Sequence, residues 1–170
     1  MSDARHDLGA VEEIRAEALG VPGKRTFRLI VRAEHGSAVI GLEKEHLSAL
    51  ALAIQRLLRD VPEDRSRSAQ PPKESSQEPS YDFRAASLGL AYEEREGTFS
   101  ILAYDRDDVG KDTPTVACSF TRARAEGLAE EALELVAAGR PICPLCERPI
   151  DPEGHMCPHA NGYKAVIDEL

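Results

Sequence analysis

Between residues 26 and 42, Phe27, Leu29 and Val31 alternate with Arg28, Ile30 and Arg32; a glycine-containing break follows at His35 to Ser37, then a second short apolar run. A period of two marks a strand with one buried face, so the stretch predicts a β-hairpin. The period then changes. Along EKEHLSALALAIQRLLRD, Leu47, Leu50, Ala51, Ile54, Leu57 and Leu58 recur at spacings of three and four, the stripe of an amphipathic helix. The first half therefore reads strand, strand, helix. Upstream, Val11, Ile14 and Ala18 suit a helix while Ile14, Ala16 and Ala18 suit a strand, so periodicity leaves residues 11 to 19 open.

The second half repeats the theme. FRAASLGLAY and TFSILAY predict two strands around a turn near Glu96 and Gly97, and TPTVACSF a third after the charged loop DRDDVGKD. TRARAEGLAEEALELVAAG carries Ala125, Leu128, Ala132, Leu135 and Val136 on one helical face, with Thr121 placed to cap its start and Gly139 to stop it. SAVIGLEKEHLSALALAIQRLL can be laid over TVACSFTRARAEGLAEEALELV as strand running into helix. The fold class expected is α+β: an antiparallel sheet with both helices covering one face, built from two copies of one unit, plus a C-terminal metal-binding hairpin. Between the halves, RDVPEDRSRSAQPPKESSQEPSYD has four prolines and almost no large apolar side chain, so residues 60–81 are expected to form a mobile linker. The expected organisation is an α+β domain over 1–139 and a zinc-ribbon-like module over 140–170.

Charge narrows the partners. A net charge of −9 on 170 residues disfavours broad contact with a phosphate backbone. Lys24, Arg25, Arg28 and Arg32 form a local basic group, but Arg28 and Arg32 share one strand face and read as a solvated outer surface. No apolar run approaches the roughly 20 residues of a membrane span. MSDARHDLGAVEEIRAEALG lacks the pattern of a secretory signal, so a cytoplasmic location is expected.

The densest chemistry lies in CPLCERPIDPEGHMCPHANGY, residues 143 to 163, which holds three of the four cysteines and two of the five histidines. In a reducing compartment such a cluster points to metal ligation or redox chemistry rather than a disulfide. Cys143 and Cys146 have C-x2-C spacing, and Pro141 and Pro144 restrict the backbone to a turn that gathers the two sulfurs. His155, Cys157 and His159 compete for the two remaining positions. Pro149, Asp151, Pro152 and Gly154 supply the turn between the half-sites. Sulfur-rich ligation favours zinc over magnesium or calcium. A redox CxxC normally opens a helix, whereas this one follows a helix end. Cys118, alone in a strand-like run, reads as a small core residue.

GVPGKRTFRL, LEKEHLSALALAIQRLL, FRAASLGLAY and AAGRPICPLCERPIDPEGHMCPHANGY together resemble the bacterial family catalogued as domain of unknown function 3090. The family's C-terminal pattern is GRPxCPxCxxPxDPxGHxCPRxNGY. This chain departs from it twice: Glu147 stands where the family usually has Gly, and His159 where it has Arg. The resemblance implies Cys143, Cys146, His155 and Cys157 as the ligands of a structural zinc, with His159 a nearby substitution. It implies no activity.

Two function classes follow. In the first, a non-enzymatic binding or adaptor protein engages another protein. In the second, an enzyme acts on a phosphorylated small molecule. No GxSxG, Gly-rich phosphate loop or HExxH motif is present. Glu43, Lys44, Glu45 and His46 could form an acid/base group, but a helix start rich in acids accounts for them through the dipole. Asn161, Gly162 and Tyr163 read as a turn that anchors the hairpin. The first class is favoured.

Overall fold

The computed structural model describes residues 4–21, 24–61, 80–108, 110–138, 143–148, 150 and 154–159. The expected linker falls almost wholly on 62–79, and the Asn161 to Tyr163 turn on 160–170, outside the described residues; so do Gly139, Pro141, Pro149, Asp151 and Pro152.

Six strands and two long helices follow one another as β1 (His6–Leu19), β2 (Thr26–Ala33), β3 (Gly36–Leu42), α1 (Lys44–Asp60), β4 (Tyr81–Glu93), β5 (Thr98–Asp105), β6 (Val116–Thr121) and α2 (Arg122–Ala137). The ambiguous stretch at 11–19 is strand. Its alternation is obscured because the register slips between Val11 and Glu13, which exchanges the faces that side chains occupy.

The strands close into a barrel in sequence order. Its two longest members each serve two neighbours. β1 pairs in parallel with β6 through His6, Asp7 and Ala10, then antiparallel with β2 from Val11 to Leu19. β4 does the same, pairing in parallel with β3 over Tyr81–Arg84 and antiparallel with β5 from Ala85 to Glu93. The sheet is mostly antiparallel, as expected, with two parallel seams that local patterning does not reveal.

Each half is thus three strands and a helix, one strand more than the sequence indicated for the first half. The halves correspond position by position. Leu47, Leu50, Ala51 and Ile54 are the buried residues of α1, and Ala125, Leu128, Ala129 and Ala132 occupy the same places on α2. Phe27, paired with Leu42, corresponds to Phe99, paired with Phe120. Both helices share one apolar core with the inward residues of the strands, including Leu29, Val31, Ile40, Ile101 and Cys118.

Helix ends are tied down by arginines from elsewhere in the chain. Arg122 donates to the Leu58 and Val61 carbonyls at the end of α1, and Arg25 to the Ala138 carbonyl just past α2, which supplies partners for carbonyls left free at a helix terminus. Thr121 does occupy the cap position of α2, but its hydroxyl makes no capping bond and is buried without a partner. On α2, Glu131 accepts a hydrogen bond from the Ala16 N–H at 2.7 Å, satisfying a strand donor.

Outside the core, Arg28 pairs with Glu17 at 2.6 Å and Arg32 with Glu13 at 3.3 Å, while Arg15 reaches both glutamates. The Arg28 fork holds the Glu17 carboxyl below its usual range. The basic group seen in the sequence is therefore a neutralised cross-strand ladder at Arg28 and Arg32.

Candidate metal centre

The C-terminal segment has its own small apolar cluster of Cys143, Ile150 and Cys157, with Cys146 packed against it. Residues 144–146 turn immediately after Cys143. The Glu147 N–H donates to the Cys143 carbonyl at 2.9 Å, and the Cys143 N–H to the Arg148 carbonyl at 2.9 Å. This closed turn forces Glu147 to a φ of 55°, the left-handed region where a side chain is disfavoured. Gly154, with φ of 86°, makes the corresponding bend before the second half-site.

The ligand atoms of Cys143, Cys146, His155 and Cys157 all lie within 4.8 Å of one another. Cys143 Sγ stands 3.8 Å from Cys157 Sγ, and Cys146 Sγ 3.2 Å from His155 Nε2. A tetrahedral ion with metal–sulfur bonds of about 2.3 Å has sulfur–sulfur edges of about 3.8 Å. The spacing therefore fits a four-coordinate metal, and all four cysteines of the chain are free thiols. His159 is not in the group.

The electrostatics suit ligation. Burial pushes the Cys143 thiol up, but N–H donors from Leu145 and Cys146 and the neighbouring Cys146 and Cys157 thiols bring it down to about 7. Burial and the adjacent Cys143 sulfur raise Cys146, despite an N–H bond from Arg148. Backbone N–H groups aimed at sulfur favour a thiolate. The other histidine nitrogen, Nδ1 of His155, is buried without a hydrogen-bond partner.

A family model described as Protein of unknown function (DUF3090) matches residues 6–157, from the first residue of β1 to the last cysteine of the cluster. This chain belongs to that family. No curated protein and no solved structure matches it. The DUF3090 match thus spans the barrel, both helices and the whole Cys3His group, and it stops short of His159.

The remaining sequence candidates disperse. Cys118 is a core residue, and burial raises its thiol to about 12. Glu43 pairs with Arg84, and His46 Nδ1 is buried without a partner, so no acid/base group assembles at the start of α1. One polar centre escaped the sequence altogether. Asp108, 2% exposed, accepts from Arg5 at 2.7 Å, Lys111 at 2.8 Å and Thr115 at 2.7 Å, which ties the loop after β5 to the start of β1. Bonds from Lys111 and Thr115, assisted by the Arg5 charge, hold its carboxyl below the usual range against the cost of burial.

Among the described residues, no helix is long and apolar enough to cross a membrane.

Proposed function

We propose that this DUF3090 member is a zinc-stabilised, non-enzymatic binding or adaptor protein whose C-terminal hairpin forms part of a surface recognised by another protein. The Cys3His group carries this reading. Three sulfurs and one imidazole complete a four-coordinate shell with protein ligands alone, which is the composition of a structural zinc site; catalytic zinc keeps a position for water or substrate. Zinc bound by three thiolates and a neutral imidazole has a net charge of about −1, which also makes it a weak Lewis acid toward anions. Its role would be to fold a segment whose own apolar cluster is too small to hold shape unaided. Leu145 and Met156, each flanked by cluster residues, are 57% and 77% exposed, so the folded hairpin presents apolar side chains outward.

Elemental analysis of protein purified under reducing, zinc-replete conditions tests the reading first, with about one zinc per chain expected. Chelation should then loosen residues 143–159 and leave the barrel intact, because the two have separate apolar clusters. Metal-free protein with an ordered hairpin would refute the zinc assignment. Metal-dependent turnover of a small substrate, lost in Cys157→Ser while the hairpin stays folded, would refute the non-enzymatic assignment.

A further inference from the structure

The duplication supplies an internal comparison between two strand borders. β6 pairs with β1 only as far as Ala10, and β3 with β4 only as far as Arg84, so the second part of each long strand has a ladder partner on one side alone. In the first copy the other border is covered. α2 packs against β1, and Glu131 accepts a hydrogen bond from the Ala16 N–H, which points away from β2. Ala16 is 4% exposed.

In the second copy the same border is open. Leu90 is the equivalent of Ala16, paired with Ile101 as Ala16 is with Leu29, and α1, which packs against β4, carries Ala53 at the place of Glu131. A methyl group thus stands where the other copy has a carboxylate. Backbone groups alternate from one side of a strand to the other, so the N–H and C=O groups of Leu88, Leu90 and Tyr92 line this border together. Among the described residues, none of them has a hydrogen-bond partner there. Their side chains are only partly buried, packed against the same core as the partly buried Leu57 of α1. Ser87, Gly89 and Ala91, on the opposite face of β4, carry no charge.

We infer that the border of β4 from Leu88 to Tyr92 binds an extended, uncharged segment of a partner protein, which adds to the sheet as a further strand beside α1. An open row of donors and acceptors is a template for another strand. Extended peptides are recognised by such addition, in which backbone bonds supply affinity and alternate side chains supply selectivity. Inward positions of the segment meet Leu90, Tyr92 and Leu57, which favours β-branched or aromatic residues there. Outward positions run beside Ser87, Gly89 and Ala91, where nothing calls for a counter-charge. This border belongs to the barrel and needs no metal, so it stands or falls apart from the zinc assignment.

Amide hydrogen exchange in the full chain tests the border first. Leu90 should exchange roughly tenfold or more faster than Ala16, and Ala53→Glu, which restores the acceptor present in the other copy, should slow it. A pool of short, end-blocked peptides with Val, Ile, Phe or Tyr alternating with Thr and Ser is then titrated, with amide NMR as the readout. At least one peptide should give saturable shifts and slowed exchange at Leu88, Leu90 and Tyr92. N-methylation of that peptide at a residue whose N–H faces β4 should weaken it about two- to tenfold, the loss of one hydrogen bond. Ala53→Glu should abolish binding while the melting temperature stays close to the wild type, and Ala53→Ser, too short to reach the border, should bind normally. Leu90 protected as strongly as Ala16 in the free chain would mean that another part of the chain already covers the border, and would overturn the proposal. So would a pool without a binder, or a binder indifferent to both N-methylation and Ala53→Glu. Dimerisation of the free chain that Ala53→Glu abolishes would assign the border to a second copy and overturn the partner assignment.

Discussion

Replacing Glu147 with glycine should tighten metal binding, although the residue supplies no ligand atom. The turn holds Glu147 at a φ of 55°, fixed by its own N–H bond to Cys143 and by the Cys143 bond to Arg148. An L-residue in the left-handed region costs about 1–2 kcal/mol. Glycine removes that cost but adds about 0.5–1 kcal/mol of chain entropy in the unfolded hairpin. The net gain centres on about 0.75 kcal/mol, and because folding of such a hairpin is coupled to metal uptake, it appears as a roughly three- to fourfold higher apparent affinity. Competition against a chromophoric chelator at fixed pH resolves a change of that size. Glu147→Ala is the decisive control, for it removes the carboxylate of the residue that follows Cys146 but keeps the Cβ. An equal gain in Glu147→Ala and Glu147→Gly would show that charge, not backbone conformation, limits the site. No gain in either would refute the strain argument outright.

Other substitutions probe the rest of the molecule. His155→Ala should weaken metal binding far more than His159→Ala in the same competition assay, since only His155 stands among the sulfurs; equal losses would contradict the assignment. Ile54→Ala should cost about 2–5 kcal/mol in urea unfolding, because Ile54 is fully buried and the cavity cannot fill, even though α2 carries Ala132 at the equivalent place. Asp108→Asn should lower stability at neutral pH and flatten the acid limb of the stability profile. The native Asp108 carboxyl is held low, so its contribution is fully present above the ordinary carboxylate pKa of about 3.9 and is lost as pH falls through the depressed native value. Unfolding midpoints collected from neutral to acid pH check the sign; a wild type and variant that lose stability in parallel would refute it.

What could be read in advance was what the chain encodes locally. The stripe of α1 is visible because its residues are near in sequence and share one environment. The clustering of cysteines and histidines is equally local, its two half-sites being short, spaced by turn formers and confined to one segment, but spacing left His155, Cys157 and His159 competing for two places, and only the family's Arg at the position of His159 pointed to His155. The parallel seams are different in kind. His6 meets Val116, and Ala38 meets Tyr81, across distances over which no periodicity operates. β1 misled periodicity because a slip between Val11 and Glu13 breaks it into two short alternations. Asp108 sat in a run read as a charged loop, and its burial follows from Arg5 and Thr115, which fold onto it from just before β1 and from beyond the loop. Glu147 was visible as a departure from the family's glycine; only the structure attaches a backbone angle to it.

Both parallel seams join one copy of the repeated unit to the other, β1 to β6 and β3 to β4. Neither copy can close by itself. Each alone would leave two strand borders with unpaired N–H and C=O groups, the condition under which strands add to whatever chain is nearest. Folding must therefore bring the beginning and end of the barrel sequence together before either half is secure, and closing so long a loop places the molecule among slow, all-or-none folders. During synthesis the first copy emerges without its counterpart, and it stays exposed to pairing with a neighbouring nascent chain until β4 and β6 arrive.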